Sequence, residues 1–291
     1  MFAPRLRAMS LAALVVFLLA FALPATAEQD FRIIPVSESV YVAFAQPGSQ
    51  EATSNIMVIE TKESIFLAGA HFAPAALEEL TTFMESLLFK PVRGYILTHH
   101  HKGFSYVDFD FPKDKTVYMS VATWKVLDEE VREIGYSVTA YNEGVTIKDG
   151  GTTIILTNMG PGHTEGDTML FLPEEKILFA SDLVYFDSVG YMGEGFMHDW
   201  MLSLEFIDEL QPEIIIPGFG PQGTVHDLRR YKEFFRAFMT EVLGHLEKGD
   251  SLRTTQKNFR LPKYADLPGY DQFLEANIER VYLDLQRTLS P

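Results

Sequence analysis

Two strand-rich blocks, each leading into helix, limit this chain to a small set of folds. In the first block, residues 37–45 (SESVYVAFA) and 54–70 (SNIMVIETKESIFLAGA) alternate or run apolar with Val and Ile, and Lys62-Glu63 supplies a hairpin turn. A helix follows, with Pro74 at an early position and Leu77, Leu80, Met84 and Leu87 on one face. Short apolar strands at 93–98 and 116–121 come next, then a helix through Trp124, Val126 and Val131. The second block has strands within 144–159, 168–181 and 213–218, with an amphipathic helix over 202–210 (LSLEFIDEL) before the last. Strands and helices that alternate twice in this way predict an α/β fold of two similar halves rather than one βαβ series. Beyond residue 224 the chain reads as helix, with Phe273, Ile278, Val281 and Leu285 on one side of the last one. No Gly/Ser/Pro linker sets this part off. Residues 28–291 are therefore expected to be one domain with a helical C-terminal extension over about 233–291.

The first 27 residues stand apart. Arg5 and Arg7 give a positive start, residues 8–27 carry no charge, and Ala25-Thr26-Ala27 closes the segment in a small-x-small pattern. This predicts an export signal cleaved before Glu28, and a periplasmic or secreted protein with no stable membrane insertion after cleavage. The competing reading is an uncleaved anchor, against which Pro24 and the cleavage pattern weigh. After cleavage, 22 basic residues face 40 acidic ones. An excess of negative charge on that scale excludes nucleic acid as a partner, because a phosphate backbone is repelled over most of the surface. The chain has no cysteine, so disulfides, thiol nucleophiles and thiolate metal ligands are all excluded.

The most unusual stretch is ILTHHHKGF, residues 96–104, in which three histidines follow an apolar strand. In extended chain, residues two apart project to the same side, so His99 and His101 face together and His100 faces away. Two imidazoles at one strand end make half of a metal site. A solvated polar loop would account for the pair equally well. Further on, GPGHTEGDT (160–168) presents His163 from a glycine-rich loop, and LFASDLVYF (178–186) puts Asp182 directly after an apolar strand. A carboxylate in that setting needs something positive nearby, unless it only serves a turn or a helix cap.

The order of these pieces resembles the metallo-β-lactamase superfamily, in the branch that includes glyoxalase II-like hydrolases. THHHKGF stands where that family has Thr-His-x-His-x-Asp-His; GPGHTEGDTMLFLPEEKILFASDLVY resembles its Gly-His-Thr-x-Gly loop, hairpin and bridging Asp; LQPEIIIPGFGP resembles its Pro-Gly-His-Gly segment. The resemblance runs from about residue 32 to 232. It implies an αββα sandwich, two mixed β-sheets flanked by helices, with metal at one edge. Position by position, it implies a first metal held by His99, His101 and His163 and a bridging carboxylate at Asp182. The ligands of the family's second metal fall on Gly103, Phe104 and Phe219, which cannot ligate, and the Asp that usually ends the early strand is replaced by Ala68.

Loss of one complete ligand set beside a complete other set predicts a mononuclear site of His99, His101, His163 and Asp182. One divalent metal is expected, Zn²⁺ first and Fe²⁺ second. A metal-bound hydroxide would attack an ester, thioester or lactam-type carbonyl of a small-molecule substrate, with Asp182 as ligand or as general base. Two alternatives stay open. One is an Fe(II) enzyme resembling the superfamily's sulfur dioxygenases, with His99, His163 and Asp182 as its face. The other is a non-catalytic binding or accessory protein that kept the fold. Among the remaining histidines, His198 has pocket lining only as its second reading, Asp199 beside it is expected to cap the next helix, and His71 is read first as a solvent-facing turn residue, with approach to the site as the alternative. His226 and His245 carry no expected role.

Overall fold

The computed structural model of the chain describes residues 30–49, 51–102, 111–130 and 135–289. The leader expected at 1–27 and positions 103 and 104 lie outside them. Seven strands form the first sheet in sequence order: β1 (Phe31–Pro35), β2 (Val40–Ala45), β3 (Ile56–Glu60), β4 (Ile65–Gly69), β5 (Val92–Leu97), β6 (Thr116–Ser120) and β7 (Ser137–Tyr141). Pairing is antiparallel from β1 to β4 and parallel from β4 to β7. The parallel part needs crossovers, and α1 (Pro74–Leu88) and α2 (Val121–Glu129) lie in two of these connections. Five strands form the second sheet, β8 (Gly144–Asp149), β9 (Thr152–Asn158), β10 (Thr168–Leu172), β11 (Ile177–Ser181) and β12 (Ile214–Pro217), with β12 parallel to β11 across the α3 (Met197–Leu210) crossover. The extension supplies α4 (Val225–Glu247), α5 (Leu252–Asn258) and α6 (Tyr270–Leu289).

Three apolar layers explain why these strands are hydrophobic on both faces. Along β3, Ile56 and Val58 join the core under α1 while Met57 and Ile59 join the core between the sheets; along β4, Ile65 and Leu67 alternate in the same way with Phe66 and Ala68. In β11, Ile177 and Phe179 face the inter-sheet core, and Leu178 and Ala180 face α3 and α4. With period-two alternation each such strand is buried on both faces, here by the other sheet on one side and by helices on the other. The expected αββα sandwich with its helical extension is the observed architecture.

The details depart from the pattern reading where burial is partial. β1 and β7 were not expected as strands. Both are sheet edges, where little apolar content is needed, and β1 ends in Pro35, which an edge tolerates. Leu87 is exposed despite its position on the α1 stripe, and α2 buries Thr123 and Leu127 rather than Trp124 or Val126.

Hydrogen bonds across the sandwich rim hold the two sheets in register. The Thr98 carbonyl, just past β5, accepts from Thr168 N at 2.8 Å, and the Thr98 and Ser181 hydroxyls meet at 2.9 Å. Asn55 does the same for the loop after β12. Its backbone N donates to Gly218 O at 2.7 Å, and its buried amide donates to Pro217 O and Gly220 O, both at 2.9 Å. Asn55→Ala leaves the Pro217 and Gly220 carbonyls without these donors and should cost about 2–3 kcal/mol of stability. Urea unfolding checks this; a midpoint equal to wild type would mean that water replaces the amide freely.

Candidate metal centre

Five strand ends and loops converge on one rim of the sandwich. β4 leads to His71, β5 to His99 and His101, the β9–β10 loop to His163, β11 to Asp182 and β12 to Phe219. Ser181 sits in the left-handed region (φ 48°), immediately after the shift in β11–β12 register, and turns the chain so that Asp182 points inward. Gly218 lies so close to the Asp182 carboxylate that a β-carbon there would collide with Oδ1. Glycine is required at this approach.

His99, His101, His163 and Asp182 are all buried; His99, His101 and His163 lie in mutual reach, as do His71, His99 and Asp182. Asp182 Oδ2 lies 3.6 Å from His99 Nε2, 3.5 Å from His163 Nε2 and 3.5 Å from His71 Nε2. His101 Nε2 and His163 Nε2 are 2.7 Å apart, within hydrogen-bond distance. His100 turns away as its strand position requires and pairs with Glu130 at 3.0 Å. The His163 ring also meets Trp200 edge-on, with centroids 5.2 Å apart, and Trp200 Nε1 donates to Leu183 O at 2.8 Å.

Burial sets the charge states. It pulls His163 down to about 3, with the neighbouring His101 adding to the effect, and it holds His99 well below the ordinary imidazole range. Asp182 goes the other way: burial works to raise it, but the imidazoles of His99, His71 and His163 outweigh that and keep it below the usual carboxylate range. Burial thus biases His99 and His163 toward the neutral form, while the surrounding imidazoles bias Asp182 toward the ionised one.

This donor set fits a divalent ion. The buried His99 Nε2 and His71 Nε2 make no hydrogen bond. Their distances to Oδ2 are long for hydrogen bonds, yet close to the ~3.4 Å that separates ligands lying about 2.1 Å from a shared tetrahedral centre. His101 Nδ1 donates to Glu194 Oε2 at 2.8 Å, and that bond holds Glu194 below its ordinary range. A carboxylate behind a ligating imidazole fixes its tautomer and orientation.

Two of these groups correct the sequence reading. His71 is not a solvent-facing turn residue. Its side chain is 10% exposed and its ring lies edge-on to His99 at 5.7 Å. Glu194 was not singled out, although it is the one acid in the YMGEGF stretch. His198 is exposed on the first turn of α3, so its pocket-lining alternative does not hold; Asp199, expected as the cap, lies within that turn, and the cap position is Phe196. His245, given no role, is buried and pairs with Asp250 at 2.7 Å, closing the end of α4. Phe219 carries no ligand and lies against His71 (5.6 Å) and Tyr185 (6.2 Å, stacked).

The extension also acquires a task. Asn277 on α6 is fully buried; its Oδ1 accepts from Met192 N at 2.7 Å and its amide donates to Gly190 O at 2.9 Å. Arg280 donates to Gly195 O, and Asp284 accepts from Met197 N at 3.1 Å. α6 therefore clamps the loop that brings Glu194 to His101.

These features define an α/β sandwich with a buried nitrogen-and-carboxylate cluster at one rim. The model of the metallo-beta-lactamase superfamily matches residues 104–218. The Beta-lactamase-like protein 2 homolog of Caenorhabditis elegans is 30% identical over 143 residues, 48% of this chain and 45% of that protein. The chain thus spans less than half the length of that relative. Metallo-beta-lactamase IND-1 of Chryseobacterium indologenes is 23% identical over 200 residues, 65% of this chain and 82% of that protein. Among solved structures, a metallo-beta-lactamase from Pontibacter korlensis shares the fold with a TM-score of 0.62 at 22% identity, covering 71% of this chain and 99% of that one. The DIM-1 metallo-beta-lactamase gives 0.61 at 23% identity, covering 72% and 98%. The family model, the relatives and the shared fold all support a likeness to the metallo-beta-lactamase superfamily.

The depressed His99 and His163 make a prediction for the metal-free protein. A group held neutral in the fold but free to charge when unfolded costs stability as pH falls below its unfolded value near 6.5. Stability should therefore decline from about pH 6.5 toward 3, with Asp182 adding a further loss below the ordinary carboxylate range. Urea midpoints between pH 7 and 4 measure this, and His163→Ala should flatten the slope. A flat wild-type profile would mean that the imidazoles are solvated.

Proposed function

We propose that this chain is an exported metallohydrolase of the glyoxalase II-like kind, holding one divalent ion, Zn²⁺ by preference, at His99, His101, His163 and Asp182. Its substrate on this reading is a small molecule with an ester, thioester or lactam-type carbonyl. The observation that carries the reading is the convergence of three buried imidazoles and one carboxylate at the rim. An ion in that position supplies Lewis acidity, which acidifies water and polarises a carbonyl oxygen.

The chain's own groups do the rest. His99 and His163 stay neutral by burial, so their lone pairs are available at neutral pH. Glu194 fixes the His101 ring, and Trp200 backs the His163 ring. Asp182 remains ionised and can accept a proton from water at Oδ2. Phe219 sets an apolar ring beside His71, with centroids 5.6 Å apart. A second reading, an Fe(II) oxygenase, draws on the near-equal distances of His99 and His163 Nε2 from Asp182 Oδ2, a two-histidine, one-carboxylate face.

Elemental analysis after dialysis against metal-poor buffer should give a ratio near one, with zinc or iron deciding between the two readings. His101→Ala should lower the retained metal sharply. His100→Ala should not, although the loss of its contact with Glu130 will reduce stability. Asp182→Asn should cut turnover about a hundredfold if the carboxylate is the general base. Should metal content and turnover both survive that change, the role given to Asp182 is wrong. Export is checked separately: mass spectrometry of protein from its native host should find the chain starting at or near Glu28, and an intact Met1 terminus in the membrane fraction would sink that part. Among the described residues, no helix is long and apolar enough to cross a membrane.

A further inference from the structure

His71 is the donor that the three-histidine reading leaves without a task. It comes from the loop after β4, on a different strand from every ligand named above. Three observations bear on it. Its Nε2 is buried and makes no hydrogen bond. That nitrogen points at Asp182 Oδ2 from 3.5 Å, the separation His99 and His163 also keep from the same oxygen. His71, His99 and Asp182 offer one ligand atom each within 4.8 Å of one another, as His99, His101 and His163 do. A solvent-facing histidine needs none of this, and a structural one would turn its nitrogen to an acceptor at bonding distance.

The state of the other pair sharpens the contrast. His101 Nε2 and His163 Nε2 lie 2.7 Å apart, closer than the ~3.4 Å between two ligands of one tetrahedral ion. His71 Nε2 and His99 Nε2 have no such partner. They lie 3.5 and 3.6 Å from Asp182 Oδ2, close to the ~3.4 Å that separates two ligands of one tetrahedral ion. The Phe219 ring against His71 limits where that imidazole can swing.

We propose that His71 is a metal ligand, and that His71, His99 and Asp182 form a second seat for the ion, overlapping the seat of His99, His101 and His163. One imidazole nitrogen serves one ion. The shared His99 Nε2 therefore makes the two seats mutually exclusive, and the stoichiometry stays at one. This rests on the metal-binding reading above and adds a ligand to it. The ligand type suits borderline divalent ions in both seats, with the carboxylate-containing seat relatively better for Fe²⁺ and Co²⁺.

Co²⁺ binding to the metal-free protein tests the proposal, followed by its visible absorption, which reports coordination number without any turnover. Wild type should bind one Co²⁺ per chain. His101→Ala/His163→Ala, which removes the private ligands of the first seat, should still bind one Co²⁺, with lower affinity and an altered spectrum. Adding His71→Ala in that background should weaken binding by about tenfold or more, in the range expected for loss of a group that governs metal affinity. If the double variant unfolds, His101→Gln/His163→Gln repeats the comparison with side-chain volume kept, and cooperative urea unfolding certifies the fold. The proposal is overturned if His71→Ala leaves Co²⁺ affinity unchanged in the double variant, or if the folded double variant binds no Co²⁺ while wild type binds one. A wild-type chain that takes up no Co²⁺ would defeat the three-histidine reading along with this one, so the two failures look different.

Discussion

A strand with two apolar faces has to be covered twice, and most of this molecule follows from that requirement. β3, β4 and β11 each send alternate residues into different cores. The inter-sheet layer can close only if the sheets stack face to face, and the outer faces can close only under helices. Polar chemistry is thereby pushed to the rims, where strands end and loops begin. At one rim the backbone groups are satisfied across the sandwich by Thr98, Ser181 and Asn55. These bonds fix the strand ends to within the tolerance that a ligand cluster needs.

Putting imidazoles and a carboxylate into such a rim carries a desolvation cost. The same burial that pulls His163 down to about 3 keeps its lone pair available at neutral pH. Asp182 stays charged only because nitrogens surround it, and Gly218 gives way so that its carboxylate fits. Around this cluster the chain spends further structure on orientation: Glu194 behind His101, Trp200 beside His163, and α6 behind the loop that carries Glu194. The C-terminal extension is thus tied to the site, although none of its residues reaches the donors.

The candidate set of His99, His101, His163 and Asp182 rested in part on locally dictated directions and was completed by the resemblance to the family's motifs. Two residues apart at a strand end fixes a common side, a glycine-rich loop frees one histidine, and an apolar strand points its following carboxylate at the rim. His71 and Glu194 were not legible for the opposite reason. His71 follows β4 by two residues in an irregular turn, and its direction depends on β5 lying beside β4 with His99 at the adjoining end. Glu194 lies in a loop with no periodicity, and α6, some 80 residues on, decides where it points.

The sequence by itself determined the order of strands and helices, the common side of His99 and His101 and the absence of thiol chemistry, while the sandwich layers and the meaning of Gly103, Phe104 and Phe219 were implied by its resemblance to a family. Hydrophobic alternation and strand geometry are local, and local rules survive without knowing the partner. Which strands lie at the edges, that Leu87 stays exposed, that His71 joins the cluster and that the extension clamps the Glu194 loop were decided by tertiary structure. Each depends on a contact between segments far apart in the chain, and no spacing rule encodes which distant surface a turn or a helix face will meet.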